Sequence, residues 1–216
     1  MARVIELNKS VTESNDKDAE ELRSDLKEQG VFLVNIMSSP GSGKTTLLSR
    51  TISDMKETTN IAVLEADIDS DVDAVKIEDL GAKAVQVHTD GMCHMDAGMT
   101  RRGMEGMDLD GVQLAFLENV GNLICPAEFD TGAHKNVMIL SVPEGDDKPL
   151  KYPLMFSMAD ALLITKMDTK EYFTFDLDLC IDHVKKLNKD IQIFPVSAKT
   201  GEGMDAWENW LRDNLF

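Results

Sequence analysis

The sequence predicts an α/β fold, a doubly wound and mainly parallel sheet. Seven short apolar runs of β character alternate with helical stretches, and most are apolar at successive positions, as strands covered on both faces are. A Ser-Pro-Gly-Ser-Gly-Lys-Thr-Thr segment, residues 39–46, directly follows the first run and opens a helix, the context a phosphate-binding loop requires. The length, 216 residues of which 43% are hydrophobic, suits one globular core and not two ordinary domains. Together these make a P-loop NTPase, with an acidic N-terminal extension expected over residues 1–30 and the phosphate-loop domain over residues 31–216.

In chain order, Lys17 to Gln29 is rich in helix formers, with Leu22 and Leu26 four apart and Gly30 as its stop. The strand runs begin at Val31, Ile61, Lys83, Val112, Val137, Ala161 and Ile191. Helices are expected between them at Thr45 to Thr58, Asp71 to Leu80 and Phe175 to Leu187, and after them at Met204 to Asn214. Gly121 to Lys135 has the weakest pattern and reads as a functional or mobile surface connection. On the last of these helices but one, Cys180 shares an apolar face with Leu177, Ile181, Val184 and Leu187, so it reads as core.

Composition narrows the function. Thirty-nine acidic against 22 basic residues leave a net charge of −17, which repels nucleic-acid backbones. No apolar run is long enough for a membrane span, and Met1 to Asn8 lacks the apolar stretch of a signal peptide. Three cysteines make no disulfide framework. A reducing, cytoplasmic setting is therefore expected, with no nucleic acid and no membrane as partner.

The phosphate loop supplies the chemistry. Gly41 and Gly43 let the backbone of Pro40, Gly41, Ser42, Gly43, Lys44, Thr45 and Thr46 turn its N–H groups toward a β-phosphate, helped by the helix N-terminus. Lys44 is expected at the β- and γ-phosphates and the Thr45 hydroxyl at Mg2+. Ser38 stands where the motif ordinarily has glycine, a position that seldom touches phosphate. Farther along, Thr165-Lys166-Met167-Asp168 resembles the N/T-K-x-D element of GTPases. The Asp168 carboxylate can accept two hydrogen bonds from guanine, whereas adenine offers no such pair of donors. Lys166 would lie along the base, and Ser197-Ala198-Lys199 resembles the element whose backbone N–H meets guanine O6. The expected nucleotides are GTP and GDP. Asp67 and Glu118, both at strand ends, are the carboxylates expected at the phosphates and at magnesium, with Asp69, Asp71 and Asp73 crowding the first.

Cys93 and His94 are adjacent after the third run, and Cys125 follows the fourth. Two thiolates and an imidazole suit Ni2+ or Zn2+, not magnesium. Three ligands fall short of a closed site, and a partner chain, a water or Asp96 could complete it. Met95 and Met99, at helical spacing, read as packing. His88, His134 and His183 read as surface or strand-end residues.

These residues resemble the hydrogenase nickel-incorporation GTPases, the HypB family. The resemblance runs over about residues 31–215, through S-S-P-G-S-G-K-T-T, E-A-D at 65–67, V-D-A at 72–74, G-M-C-H-M-D-A at 91–97, E-N-V-G-N-L-I-C-P-A at 118–127, P-E-G-D-D-K-P-L-K-Y-P at 143–153 and T-G-E-G-M at 200–204. It implies a dimerising, SIMIBI-class GTPase, allied to signal-recognition and partition proteins, that helps insert nickel into nickel-iron hydrogenase. Its implied partners are a second copy in the GTP state, a nickel-carrying accessory protein and the hydrogenase large-subunit precursor. The family's metal site falls on Cys93, His94 and Cys125, and its magnesium-facing carboxylate on Asp67. Met1 to Gly30 contains no Cys and no His, so no second N-terminal metal site carries over. The competing readings are a urease-type nickel GTPase, a non-catalytic nickel or zinc buffer, and a scaffold with structural zinc.

Overall fold

The computed structural model describes residues 7–67, 72–89 and 91–216. Its strands are β1 (Phe32–Ser38), β2 (Ile61–Asp67), β3 (Lys83–His88), β4 (Leu114–Glu118), β5 (Lys135–Ser141), β6 (Ala161–Thr165) and β7 (Gln192–Pro195). Every pairing is parallel, in the order β3-β2-β4-β1-β5-β6-β7. The helices are α1 (Leu7–Glu28), α2 (Lys44–Met55), α3 (Val72–Asp79), α4 (Ala97–Glu105), α5 (Lys148–Lys151), α6 (Pro153–Met158), α7 (Leu177–Leu187) and α8 (Met204–Asn214). Parallel neighbours need crossovers, and the helices supply them on both faces.

Strand alternation sorts the core. Val34 and Ile36 of β1 face α2 and α8 through Leu48, Ile52, Met204 and Trp207. Leu33 faces the other way, toward Leu22 and Leu26 of α1 and Met99 and Met104 of α4. Over the β5–β6 half of that second face, Met138, Leu140, Leu162 and Ile164 pack with Phe156 of α6 and Cys180 and Val184 of α7. Such fully buried side chains each contribute roughly 1.5–3 kcal/mol relative to exposure. Cys180 is core as expected, its thiol pushed up to about 12 by burial. Trp207 is buried, donates from Nε1 to Thr51 Oγ1 at 3.0 Å, and stacks on Trp210 at 5.4 Å between ring centroids.

Two expectations are revised. The first helix begins ten residues earlier than Lys17, and Asn15 within it donates from its side chain to the Asp130 carbonyl while accepting from the Ala97 N–H. The 121–135 segment is packed, with Leu123, Ala127, Thr131 and Ala133 buried. Arg23 of α1 anchors it by a bidentate contact to Asp130 at 2.7 Å and a bond to the Ala133 carbonyl at 2.8 Å. His134 lies at a strand end, just before β5, and accepts at Nδ1 from the Leu33 N–H at 2.9 Å, while its Nε2 meets the Arg23 carbonyl at 3.0 Å.

β1 is the central strand. Its C-terminal end is flanked by β4 on one side and β5 on the other, where the direction of winding reverses. Ligands bind at such switch points in open α/β sheets.

Candidate functional site

The turn leaving β1 takes its shape from two glycines. Gly41 and Gly43 have φ of +74° and +99°, a region costly for residues with a Cβ. Gly43 caps α2 without a side chain, leaving the first N–H groups of the helix directed outward. Lys44 donates to Ser38 Oγ at 3.0 Å, and Ser38 Oγ donates to the Ser39 carbonyl at 2.8 Å. The residue that departs from the motif is thus in contact with the motif's lysine.

Pro40, Gly41, Gly43, Lys44, Thr45 and Thr46 line one wall of a cavity of about 570 Å³, closed opposite by Glu65, Glu118 and Asn119. Thr45 Oγ1 donates to Glu118 Oε1 at 3.0 Å. Among the described side chains, Glu118 is thus a carboxylate that stands at the threonine. The backbone of Asp67 ends β2 opposite His88; its side chain lies outside the described residues, as do Asp69, Asp71 and the side chain of Asp73. Glu65, unassigned from sequence, is buried and stands in register with Glu118 across β2 and β4. Only that cross-strand register reveals it.

A second cavity of about 270 Å³ adjoins the loop and is lined by Ser42, Gly43, Thr165, Lys166, Asp168, Ala198 and Lys199. Asp168 Oδ1 accepts from Ser197 Oγ at 2.7 Å, and Lys199 Nζ stands 3.9 Å from Oδ2. The Ser197 N–H is engaged by the Glu202 carbonyl at 2.9 Å, so Ala198, which lines the cavity, carries the amide nearest the expected role. Thr165 replaces the usual Asn without leaving a gap: its hydroxyl donates to the Ser42 carbonyl at 2.8 Å, joining the two loops. Lys166 has φ +61°, the one positive value outside glycine among the described residues, and its Nζ donates to the Gly41 carbonyl at 2.8 Å.

The third group is the cysteine and histidine cluster. Ligand atoms of Cys93, His94 and Cys125 all lie within 4.8 Å of one another, with Cys93 Sγ 3.8 Å from His94 Nδ1. Tetrahedral ligands at zinc-like bond lengths stand about 3.5 Å apart, so a contraction of about an ångström would let the three share one ion. A hydrogen bond with Cys125, then burial, holds the Cys93 thiol above its ordinary value. Burial lowers that of His94, favouring the neutral imidazole that donates to metals. The His94 ring stacks on Phe129 at 4.0 Å and 14°, which fixes its plane. Asp96 does not join the cluster. Its carboxylate caps α4 by accepting from the Met99 N–H at 2.7 Å. Met95 and Met99 are buried in the core, whereas Met92 is exposed.

Residues 32–195 match the family described as CobW/HypB/UreG, nucleotide-binding domain. The hydrogenase maturation factor HypB of Rhizobium leguminosarum bv. viciae is 45% identical over 209 residues, 97% of this chain and 70% of that protein. The crystal structure of HypB from Helicobacter pylori in complex with nickel superposes with a TM-score of 0.87 at 37% identity, covering 93% of this chain and 94% of that one. The signal recognition particle receptor FtsY of Elizabethkingia anophelis, at 14% identity and a TM-score of 0.59 over 90% of this chain and 70% of that one, shares the fold. No helix among the described residues is long and apolar enough to cross a membrane. With its phosphate loop, the cavity beside Asp168 and the Cys-His-Cys cluster, the chain belongs to the CobW/HypB/UreG family of nucleotide-binding proteins, on its HypB branch.

Proposed function

We propose that the chain is a GTPase that carries nickel and helps insert it into nickel-iron hydrogenase during that enzyme's maturation. The observation that carries this reading is one of continuity. The segment whose Glu118 accepts from Thr45 of the phosphate loop runs on, seven residues later, to Cys125 of the metal-type cluster. Phosphate chemistry and thiolate chemistry thus share one stretch of chain.

In this reading the N–H groups of residues 41–46 and the Lys44 ammonium hold the β- and γ-phosphates. Asp168 accepts from guanine, Lys166 lies on the base, and the Ser197-Ala198-Lys199 turn meets O6. The spacing of Thr45 Oγ1 and Glu118 Oε1, 3.0 Å, fits neighbouring oxygens of an octahedral Mg2+, which stand about 2.9 Å apart at bond lengths of 2.0–2.1 Å. Thr45 with Asp67 or Glu118 would hold that ion, and when bound it supplies neutralisation of phosphate charge. Lys44, Asp67 and Glu118 are the residues we assign to catalysis.

Nickel is cargo, held by Cys93, His94 and Cys125; the same donors accept Zn2+. Three ligands per chain suit a GTP-dependent homodimer in which two clusters meet. The cargo would come from a nickel-carrying accessory protein and go to the hydrogenase large-subunit precursor, in the cytoplasm. Residues 31–216 form the GTPase domain, with 1–30 as its extension.

Phosphate release from GTP and from ATP, nickel titration of wild type, Cys93→Ala and Cys125→Ala, and sedimentation with and without a GTP analogue test the reading. Guanine-selective turnover, nickel binding weakened at least about tenfold in each variant, and a dimer only with the analogue are expected, a tenfold loss being about 1.4 kcal/mol. Absence of GTP turnover would leave a metal buffer, and nickel binding unchanged in both variants would remove the cargo role.

A further inference from the structure

We propose that Asn119 is the positioning residue through which the nucleotide site and the Cys-His-Cys cluster respond to one another; this rests on the reading of the chain as a GTP-gated nickel carrier. The segment around it is gripped by the phosphate loop at both ends. Glu118, just before, accepts from Thr45. Gly121, two residues after, is seated so closely that a Cβ there would come within 3.1 Å of the Pro40 backbone nitrogen. Between them, the Asn119 N–H donates to the Ile36 carbonyl of β1 at 3.0 Å. A shift of the loop on taking up phosphate therefore moves this segment.

The Asn119 side chain carries that movement to the cluster. Its Oδ1 accepts from the Met95 N–H at 3.2 Å and from the Val120 N–H at 2.9 Å. The Met95 N–H belongs to the peptide leaving His94, and Val120 starts the stretch that ends at Cys125. One carboxamide oxygen thus pins both cluster-bearing loops. Its Nδ2 donates to Asn35 Oδ1 at 3.0 Å, and Asn35 Nδ2 donates in turn to Asn136 Oδ1 at 2.9 Å. This row of amides crosses β4, β1 and β5, and the two backbone N–H donors fix its polarity, because a flipped Asn119 would set its NH2 group against them. Asn119 and Asn35 are each 1% exposed. Partners lost at this depth are not replaced by water, so the link is stiff. Coupling requires such an element with contacts to both sites.

Mere strand glue would give the same picture at rest, so the test reads coupling. Nickel is titrated into the full chain with and without magnesium and a non-hydrolysable GTP analogue, following the thiolate-to-nickel charge-transfer band. In wild type the analogue is expected to change nickel affinity by a factor of about 5–150 and to shift the band. In Asn119→Ala the ion count per chain should persist while the ratio falls to within about twofold of unity and the band shift vanishes. Asn119→Ser, whose side chain is too short to span to the Met95 N–H that Asn119 Oδ1 meets at 3.2 Å, should behave likewise and serves should the alanine variant fail to fold. Asn119→Asp keeps the oxygen that accepts from the Met95 and Val120 N–H groups and loses the donor to Asn35, so an Asp variant of native circular dichroism should retain the band shift. A full wild-type ratio in the Ala and Ser variants overturns the role of Asn119 alone. So does loss of nickel from variants whose circular dichroism is native, since that marks a purely supporting role. A ratio of unity in wild type overturns the GTP-gated reading itself, and the proposal with it.

Discussion

Replacing Asp168 by Asn tests most directly the proposal that the cavity beside it receives guanine. The carboxylate is largely buried, with 16% of its side chain exposed, and Ser197 Oγ already donates to Oδ1 at 2.7 Å. Both oxygens are thereby oriented before any base arrives. Guanine presents N1–H and a 2-amino group to the pair, and hydrogen bonds to a charged acceptor contribute about 1.5–3 kcal/mol each. The Asn variant keeps one acceptor and turns an NH2 group toward the other donor. One charge-assisted bond is lost and a donor-donor contact appears, so a loss of about 3 kcal/mol, or roughly 150-fold in GDP affinity, is expected. Xanthine, with a 2-carbonyl, should gain. Calorimetric titration of both proteins with GDP and xanthosine diphosphate reads the two effects, with thermal unfolding as control. GDP affinity within about threefold of wild type, together with no gain for the xanthine nucleotide, would refute the assignment.

Gly203→Ala should lower stability by at least about 2 kcal/mol in thermal unfolding, because φ is +73° and the new Cβ would lie within 2.2 Å of the Pro195 carbonyl oxygen; an unchanged midpoint would contradict the packing of the turn before α8. Acid should destabilise the fold through His134. Burial depresses its pKa below the ordinary 6.5, so the unfolded chain takes up a proton first, and stability, full above about pH 6.5, falls as pH drops through the folded value. His134→Gln should remove that part of the slope in denaturation curves between pH 7 and 5. Cys180→Ala should cost about 1–2 kcal/mol of stability and leave nickel titration unchanged, whereas a change in nickel stoichiometry would place Cys180 at the metal.

What the sequence disclosed depended on how local its signal was. β1, β2, β4, β5 and β6 announce themselves because both faces are buried and the runs are continuously apolar. The phosphate loop and the Thr165–Asp168 element announce themselves because their chemistry is compressed into a few consecutive residues. α4 was hidden by Gly98 and Gly103, poor helix formers; Gly103 is there because a Cβ would meet Leu64 at 2.5 Å. α5 and α6 are short and start beside Pro149 and Pro153, too brief for a period of 3.6 to show. The polar order of the site is non-local. Asn35, Asn119 and Asn136 are scattered along the chain, and only strand register makes them neighbours. The same holds for Glu65 beside Glu118, and the Thr165 hydroxyl on the Ser42 carbonyl is equally distant in sequence. The Cys93-His94 pair is visible as a motif, but its nearness to Cys125 comes from the packing of two loops that are distant in sequence and share the Asn119 side chain as a hydrogen-bond partner.

The chain has two tryptophans, and the stacking of Trp207 on Trp210 puts both on α8, beside Phe194 and against α2. Intrinsic emission therefore comes from one corner of the molecule. Neither indole lines the cavity beside the phosphate loop or the one beside Asp168, and the Cys-His-Cys cluster is built from other residues. Unfolding, which separates α8 from α2 and exposes a fully enclosed indole to water, will redden that emission strongly. The spectrum is a built-in gauge of whether the α2–α8 layer is closed, and an extrinsic label on the nucleotide is the better choice for following occupancy of the phosphate loop.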